Sequence, residues 1–199
     1  MNSSIEIVKI NGDDINNYLQ DLAELRIKVF REYPYLYRGS ISYEIEYLQP
    51  YQNAPDATFF IVKDNQKVVG ASTCIPLVQE DEVFQEPFRK NKIDRSCVMY
   101  FGESVLLKKY RGLGLGKEFF SLREACATDF KNIEICTFCA VDRPLDHPLK
   151  PENYKDLHGF WLSMGYRQHP ELTTCLSWQD IDQPKVTSKK MIFWLKKIR

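Results

Sequence analysis

The stretch Arg111-Gly112-Leu113-Gly114-Leu115-Gly116-Lys117 decides how this chain is read. An apolar run, Val98 to Leu107, leads into it, and a helical pattern, Lys117 to Phe130, leads out. Strand, glycine-rich turn and helix, in that order, aim several backbone N–H groups and a helix N-terminus at one anion. Glycine lets the chain come close to the anion and adopt angles that a Cβ forbids. Arg111 and Lys117 add positive charge at the rim, so the pattern points to a phosphate or pyrophosphate. The competing reading is a tight strand-to-helix turn with no ligand.

Two common phosphate loops are excluded by spacing. A Walker A loop has a glycine five residues before its Gly-Lys pair and Ser or Thr after it. Arg111 and Glu118 hold those places here. A dinucleotide fingerprint needs Gly-x-Gly-x-x-Gly; counted from Gly112 or Gly114, the last place falls on Lys117 or Phe119. The order Arg-x-x-Gly-x-Gly, carried by Arg111, Gly114 and Gly116, resembles the acetyl-CoA loop of the GNAT acyltransferase superfamily. Phe160-Trp161-Leu162-Ser163-Met164-Gly165-Tyr166 is similar to that family's later Phe-Tyr-x-x-x-Gly-Phe signature.

The rest of the chain falls in the order that the resemblance implies. Ile5 to Ile10 alternates as a strand, and Asp13 or Asp14 is placed to cap a helix with Leu19, Leu22, Leu25, Ile27 and Phe30 on its stripe. Tyr43, Tyr47 and Tyr51 give a second helix a tyrosine face, and Phe59 to Val62 with Val68 to Ile75 read as a hairpin. Glu80 to Arg95 reads equally as a surface loop or a short helix around Pro87. Ile133 to Val141 is a buried strand, Leu157 to Met164 a helix, and Leu172 to Trp178 and Met191 to Leu195 the last strands. The expectation is a single α/β domain over residues 1–199, a GNAT acyl-CoA acyltransferase fold with a mixed sheet of about seven strands and flanking helices.

Composition narrows the partners. The 199 residues carry 27 basic and 27 acidic side chains, with no basic stripe for nucleic acid. No apolar run spans a membrane, and Met1-Asn2-Ser3-Ser4 begins no signal peptide, so the expected location is cytoplasmic, with reduced cysteines. Cys136 and Cys139 form a lone Cys-x-x-Cys with no second pair and no nearby His pair, so no metal site is expected. A neutral chain can still bind a polyanion through local backbone dipoles.

The resemblance also implies a site. Arg111, Gly112, Leu113, Gly114, Leu115, Gly116 and Lys117 would hold the pyrophosphate of acetyl-CoA, and Val105, Leu106 and Leu107 would pair with its pantetheine arm. A backbone N–H near Leu106 would stabilise the acetyl oxygen as it becomes negative. The acceptor would be an amine, and Glu103, eight residues before Arg111, the base that deprotonates it, its pKa raised by partial burial. Glu103 holding the ammonium without taking its proton is the other role open to it. Trp161 stands where many members carry an acidic tyrosine, and an indole N–H cannot replace it; Tyr154 is the nearest substitute. Cys139 is a weaker candidate, as an acyl-accepting nucleophile. Tyr33 and Tyr35 would roof the acceptor pocket, with Asp142 and Asp146 for a cationic acceptor, Arg143 for an anionic one and His147 as an alternative base. The strand with Trp194 offers an edge for a homodimer. A non-catalytic acyl-CoA sensor of the same fold is the alternative function; a nucleotide enzyme is disfavoured by the failed Walker spacing.

Overall fold

Alternating apolar residues build the first half of a mixed sheet. In the computed structural model, residues 5–199 are described, apart from the side chains of Asp13 and Pro50. The leader reading of Met1 to Ser4 and the capping reading of the Asp13 side chain therefore lie outside the described residues. β1 (Ile5–Asn11) runs antiparallel to β2 (Thr58–Asp64), which turns through Asn65 and Gln66 into β3 (Lys67–Pro76). This is the expected hairpin, longer at both ends.

The run Val98 to Leu107 is two strands, not one. β4 (Val98–Tyr100) pairs with β3 and, in parallel, with β6 (Ile135–Val141). β5 (Ser104–Leu106) pairs with β3 alone. The last rung toward β6 is the Phe101 N–H on the Thr137 carbonyl at 2.7 Å. Gly102 occupies the break because a Cβ there would lie 2.6 Å from the Tyr51 hydroxyl and 2.7 Å from Thr73 Oγ1. The strand order is β1-β2-β3-β4-β6-β8-β7, with β7 at Arg167–Gln179 and β8 at Val186–Lys197. The eighth strand is thus the second half of the motif strand. β8 is paired on both sides, and Trp194 is 3% exposed. It therefore offers no edge for a dimer, which corrects that expectation.

Among the described residues five α-helices cover the two faces: α1 (Leu19–Phe30), α2 (Ile41–Asn53), α3 (Glu82–Lys90), α4 (Leu115–Thr128) and α5 (His158–Ser163). Asp14 does not cap α1; Gly12–Asn17 is a 3-10 turn and Tyr18 is the cap residue. Pro87 lies inside α3 and withholds the N–H that would reach Val83. The Thr174 hydroxyl on β7 meets that carbonyl instead, at 2.7 Å, and α3 buries Phe84 and Phe88.

Side chains of one strand alternate between faces. Val98 and Tyr100 join the core under α1, α2 and α3, with Leu22, Leu48 and Phe88. Met99 and Phe101 join the core under α4, with Phe119, Phe120 and Tyr166. Cys136 and Cys139 likewise fall in different cores, so this Cys-x-x-Cys cannot chelate, and all six cysteines are free. Among the described residues no helix is long and apolar enough to cross a membrane.

Candidate active site

Gly112 and Gly114 have φ of +81° and +87°, so the loop needs glycine at both places. Gly114 is the cap residue of α4. The first N–H groups of a helix have no partner inside it, which leaves the Leu115 and Gly116 amides directed outward. The Lys117 N–H is not one of these, because it bonds the Gly114 carbonyl at 2.9 Å. Arg111 is also committed. It forks onto Glu32 at 2.7 and 3.0 Å, and its Nε donates to the Leu106 carbonyl at 2.9 Å. It staples the loop to the end of α1 more than it adds free charge.

The break in the motif strand opens beside this loop. The Leu107 N–H bonds Val69 at 2.9 Å and the Glu103 carbonyl accepts from Thr73 at 3.2 Å. By antiparallel alternation, Val105 is also turned to β3. Leu106 is turned away from it, as its carbonyl's bond to Arg111 confirms. Of Val105, Leu106 and Leu107, only Leu106 has a free N–H edge for a ligand. A cavity of about 1030 Å³ adjoins that edge and reaches from Gly112, Gly114 and Lys117 to Glu103, Phe138 and Tyr154.

Glu103 follows the Gly102 break and is 6% exposed. Its Oε2 accepts from Arg26 of α1, whose Nε also bonds Glu44 of α2. Its Oε1 is buried and has no partner. The carboxyl is buried, as the apolar strand around it predicts, and Arg26 is the partner that the sequence does not announce. Arg26 had left a sign: it stands four residues after Leu22, on the buried stripe of α1. Arg123 was missed too, four residues after Phe119 on the stripe of α4. It is 2% exposed, lies 4.3 Å from the Phe101 ring centre, and donates to the Glu103 carbonyl at 3.2 Å. Burial pulls its pKa down to about 10, so it stays charged at neutral pH.

Of the residues expected around the acceptor, Tyr33, Tyr35, Asp142, Arg143 and Tyr154 line the cavity. Tyr33 and Tyr154 meet edge to face at 4.6 Å on the cavity wall, and Tyr35 lies beside Phe30 at 4.8 Å. Burial raises the Tyr154 phenol above its usual range. Arg143 is no free anion receptor. It forks onto buried Asp180 at 2.7 and 2.8 Å and donates to the Pro34 and Tyr35 carbonyls. Asp142 is on the wall, half-exposed, 3.3 Å from Lys190. His147 does not line the cavity; its Nδ1 accepts the Leu149 N–H at 3.2 Å and its ring lies near Tyr33. Trp161 packs on Phe138 and Trp194. Cys139 lies 3.3 Å from the Tyr100 hydroxyl, and burial pushes its thiol up to about 12, which suits packing and not a nucleophile.

Known structures share this architecture. Arabidopsis thaliana NAA60 in complex with a bisubstrate analogue matches with a TM-score of 0.62 and 13% identity, over 98% of this chain and 100% of that one. NAA60 in complex with acetyl-CoA matches with a TM-score of 0.60 and 13% identity, over 98% and 99%. A GNAT-family acetyltransferase from Staphylococcus aureus matches with a TM-score of 0.58 and 16% identity, over 98% and 100%. No protein-family model matches the chain, and no curated protein matches it significantly. Across nearly its whole length, the chain has the fold of the GNAT acetyltransferases.

Proposed function

We propose that this protein is an acetyl-CoA-dependent N-acetyltransferase that moves an acetyl group to an amine by direct attack. One observation carries the reading: the break in the motif strand joins three groups in a single cavity. These are the outward amides of the glycine loop, the free edge of Leu106 and Glu103, whose buried Oε1 has no partner. Acetyl-CoA, when bound, supplies the activated acyl group. The amides ahead of Lys117 suit its diphosphate, and the Leu106 edge suits its pantetheine arm, with the N–H directed at the acetyl oxygen. Glu103 Oε1 accepts the proton of the acceptor ammonium. Tyr154, kept protonated by burial, is the donor for the departing sulfur, a role the Trp161 indole cannot fill. Tyr33, Tyr35 and Asp142 line the acceptor side.

Calorimetry with acetyl-CoA, followed by thiol release across a panel of amines, tests the reading. Turnover with any amine supports the transferase. Saturable binding without turnover supports instead a non-catalytic acyl-CoA sensor, the role that Trp161 in place of tyrosine favours. Absence of any heat removes both.

A further inference from the structure

We infer that the donor side of the cavity takes an acyl group that ends in a carboxylate, with Arg123 as its receptor. The inference rests on the transferase reading above and extends the donor beyond acetyl. Arg123 stands on the buried stripe of α4 and is 2% exposed. Its Nε donates to the Phe119 carbonyl at 3.1 Å and its Nη1 to the Glu103 carbonyl at 3.2 Å. Nη2 bonds no atom of the described residues, yet it is not sealed in the core. It keeps accessible surface, and the cavity is the open space that Arg123 borders.

The guanidinium lacks a counter-charge, because the acids near it face elsewhere. Glu103 offers it only backbone, since its carboxyl is turned onto Arg26. Glu124, next in the chain, is spent on Lys196 at 2.8 and 2.7 Å and on the Tyr166 hydroxyl at 3.0 Å. The Phe101 and Phe120 rings, at 4.3 and 4.8 Å, and the Cys74 and Cys136 thiols are neutral neighbours. A buried charge without a partner is unfavourable. A carboxylate would supply both the missing charge and an acceptor for Nη2. The position favours the acyl donor as its source. Arg123 belongs to the helix that begins at the glycine loop and packs with Phe101 and Phe120, whereas Tyr33 and Tyr154 meet each other on the acceptor wall. The Glu103 carbonyl it holds lies three residues before Leu106, roughly 10 Å along extended chain. From the Leu106 edge that is beyond a two-carbon acyl group and within reach of a short diacid joined to CoA through one end, such as a succinyl group.

The experiment is calorimetry on the full chain with acetyl-CoA, butyryl-CoA and succinyl-CoA, and with free succinate titrated onto the CoA complex. Butyryl and succinyl groups have the same number of carbons, so their difference reads the carboxylate. Succinyl-CoA should bind about tenfold or more tightly than butyryl-CoA, the worth of one charge-assisted hydrogen bond. Arg123→Met should remove that preference and Arg123→Lys should keep part of it, with circular dichroism checking that each variant folds. Equal affinity for the two four-carbon thioesters overturns the proposal without any variant. A preference that survives Arg123→Met overturns it as well, and leaves Arg123 as a staple between α4 and the strand break. Free succinate that binds the CoA complex through Arg123 as tightly as succinyl-CoA exceeds butyryl-CoA would put the carboxylate on a separate molecule and remove the donor assignment. If acetyl-CoA binds and succinyl-CoA gains nothing over butyryl-CoA, only this inference fails; if no acyl-CoA gives heat, the transferase reading fails with it.

Discussion

The glycine-loop wall of the cavity and the Glu103 wall present their polar groups by opposite means. The first uses backbone: two left-handed glycines, a helix N-terminus and the turned edge of Leu106, all within residues 106–117. The second uses buried charge: Arg26, Glu44 and Glu103, brought together from α1, α2 and the break after β4. Backbone donors need no counter-charge and survive most substitutions. Buried side-chain charges depend on every partner, so one change alters all of them.

Removing the unmatched charge should give the largest effect. Glu103→Gln is expected to lower turnover about 10²- to 10⁴-fold while acetyl-CoA affinity stays within a few-fold, measured by steady-state kinetics and calorimetry. The variant should fold, since Arg26 keeps Glu44. A full rate with an unchanged pH profile would take the base away from Glu103.

The support behind the acceptor wall comes next. Arg143→Met leaves Asp180 buried and opposed only by Lys189 at 3.4 Å. A loss of about 3–5 kcal/mol is expected, read as a fall in the urea midpoint. Burial by itself would raise the Asp180 pKa, but bonds and charge from Arg143, with help from Lys189, hold it below the usual range. Its contribution is therefore present at neutral pH and lost as the pH falls through its depressed folded value.

Glu80 should show the reverse sign. Burial raises its pKa from 4.5 to about 7, against the lowering effect of the Tyr51 hydrogen bond. The folded state holds its proton more tightly, so stability falls as pH rises from about 4.5 to 7, by about 3 kcal/mol. Glu80→Gln should flatten the urea midpoint between pH 5 and 8; an unchanged slope would show that Glu80 does not cause it.

On the backbone wall the effect is smaller and confined to the ligand. A Cβ at Gly114 meets nothing within 4 Å, but φ is +87°. Gly114→Val should weaken acetyl-CoA by about tenfold or more through a strained loop, with the acceptor wall untouched. Unchanged affinity would remove the loop from the site.

This contrast explains what could be read from the chain. The loop was legible because its geometry lies in neighbouring residues whose types, glycine above all, have few other uses. Arg111, Arg143 and His147 were read by chemical type alone, and each is occupied: by Glu32, by Asp180 and by the Leu149 amide. Their partners lie 79, 37 and 2 residues away, and only the first two demanded tertiary structure. Arg26 and Arg123 were visible as charges on apolar stripes, though what they bond was not.

By itself the sequence determined the element order, the glycine-loop turn and the apolar faces, because periodicity and glycine angles are local properties of the chain. Tertiary structure decided where the motif strand breaks, that β8 is interior, and which charges remain unmatched. Those depend on what packs against Gly102, on strand order and on pairings across the whole fold, which local spacing does not encode.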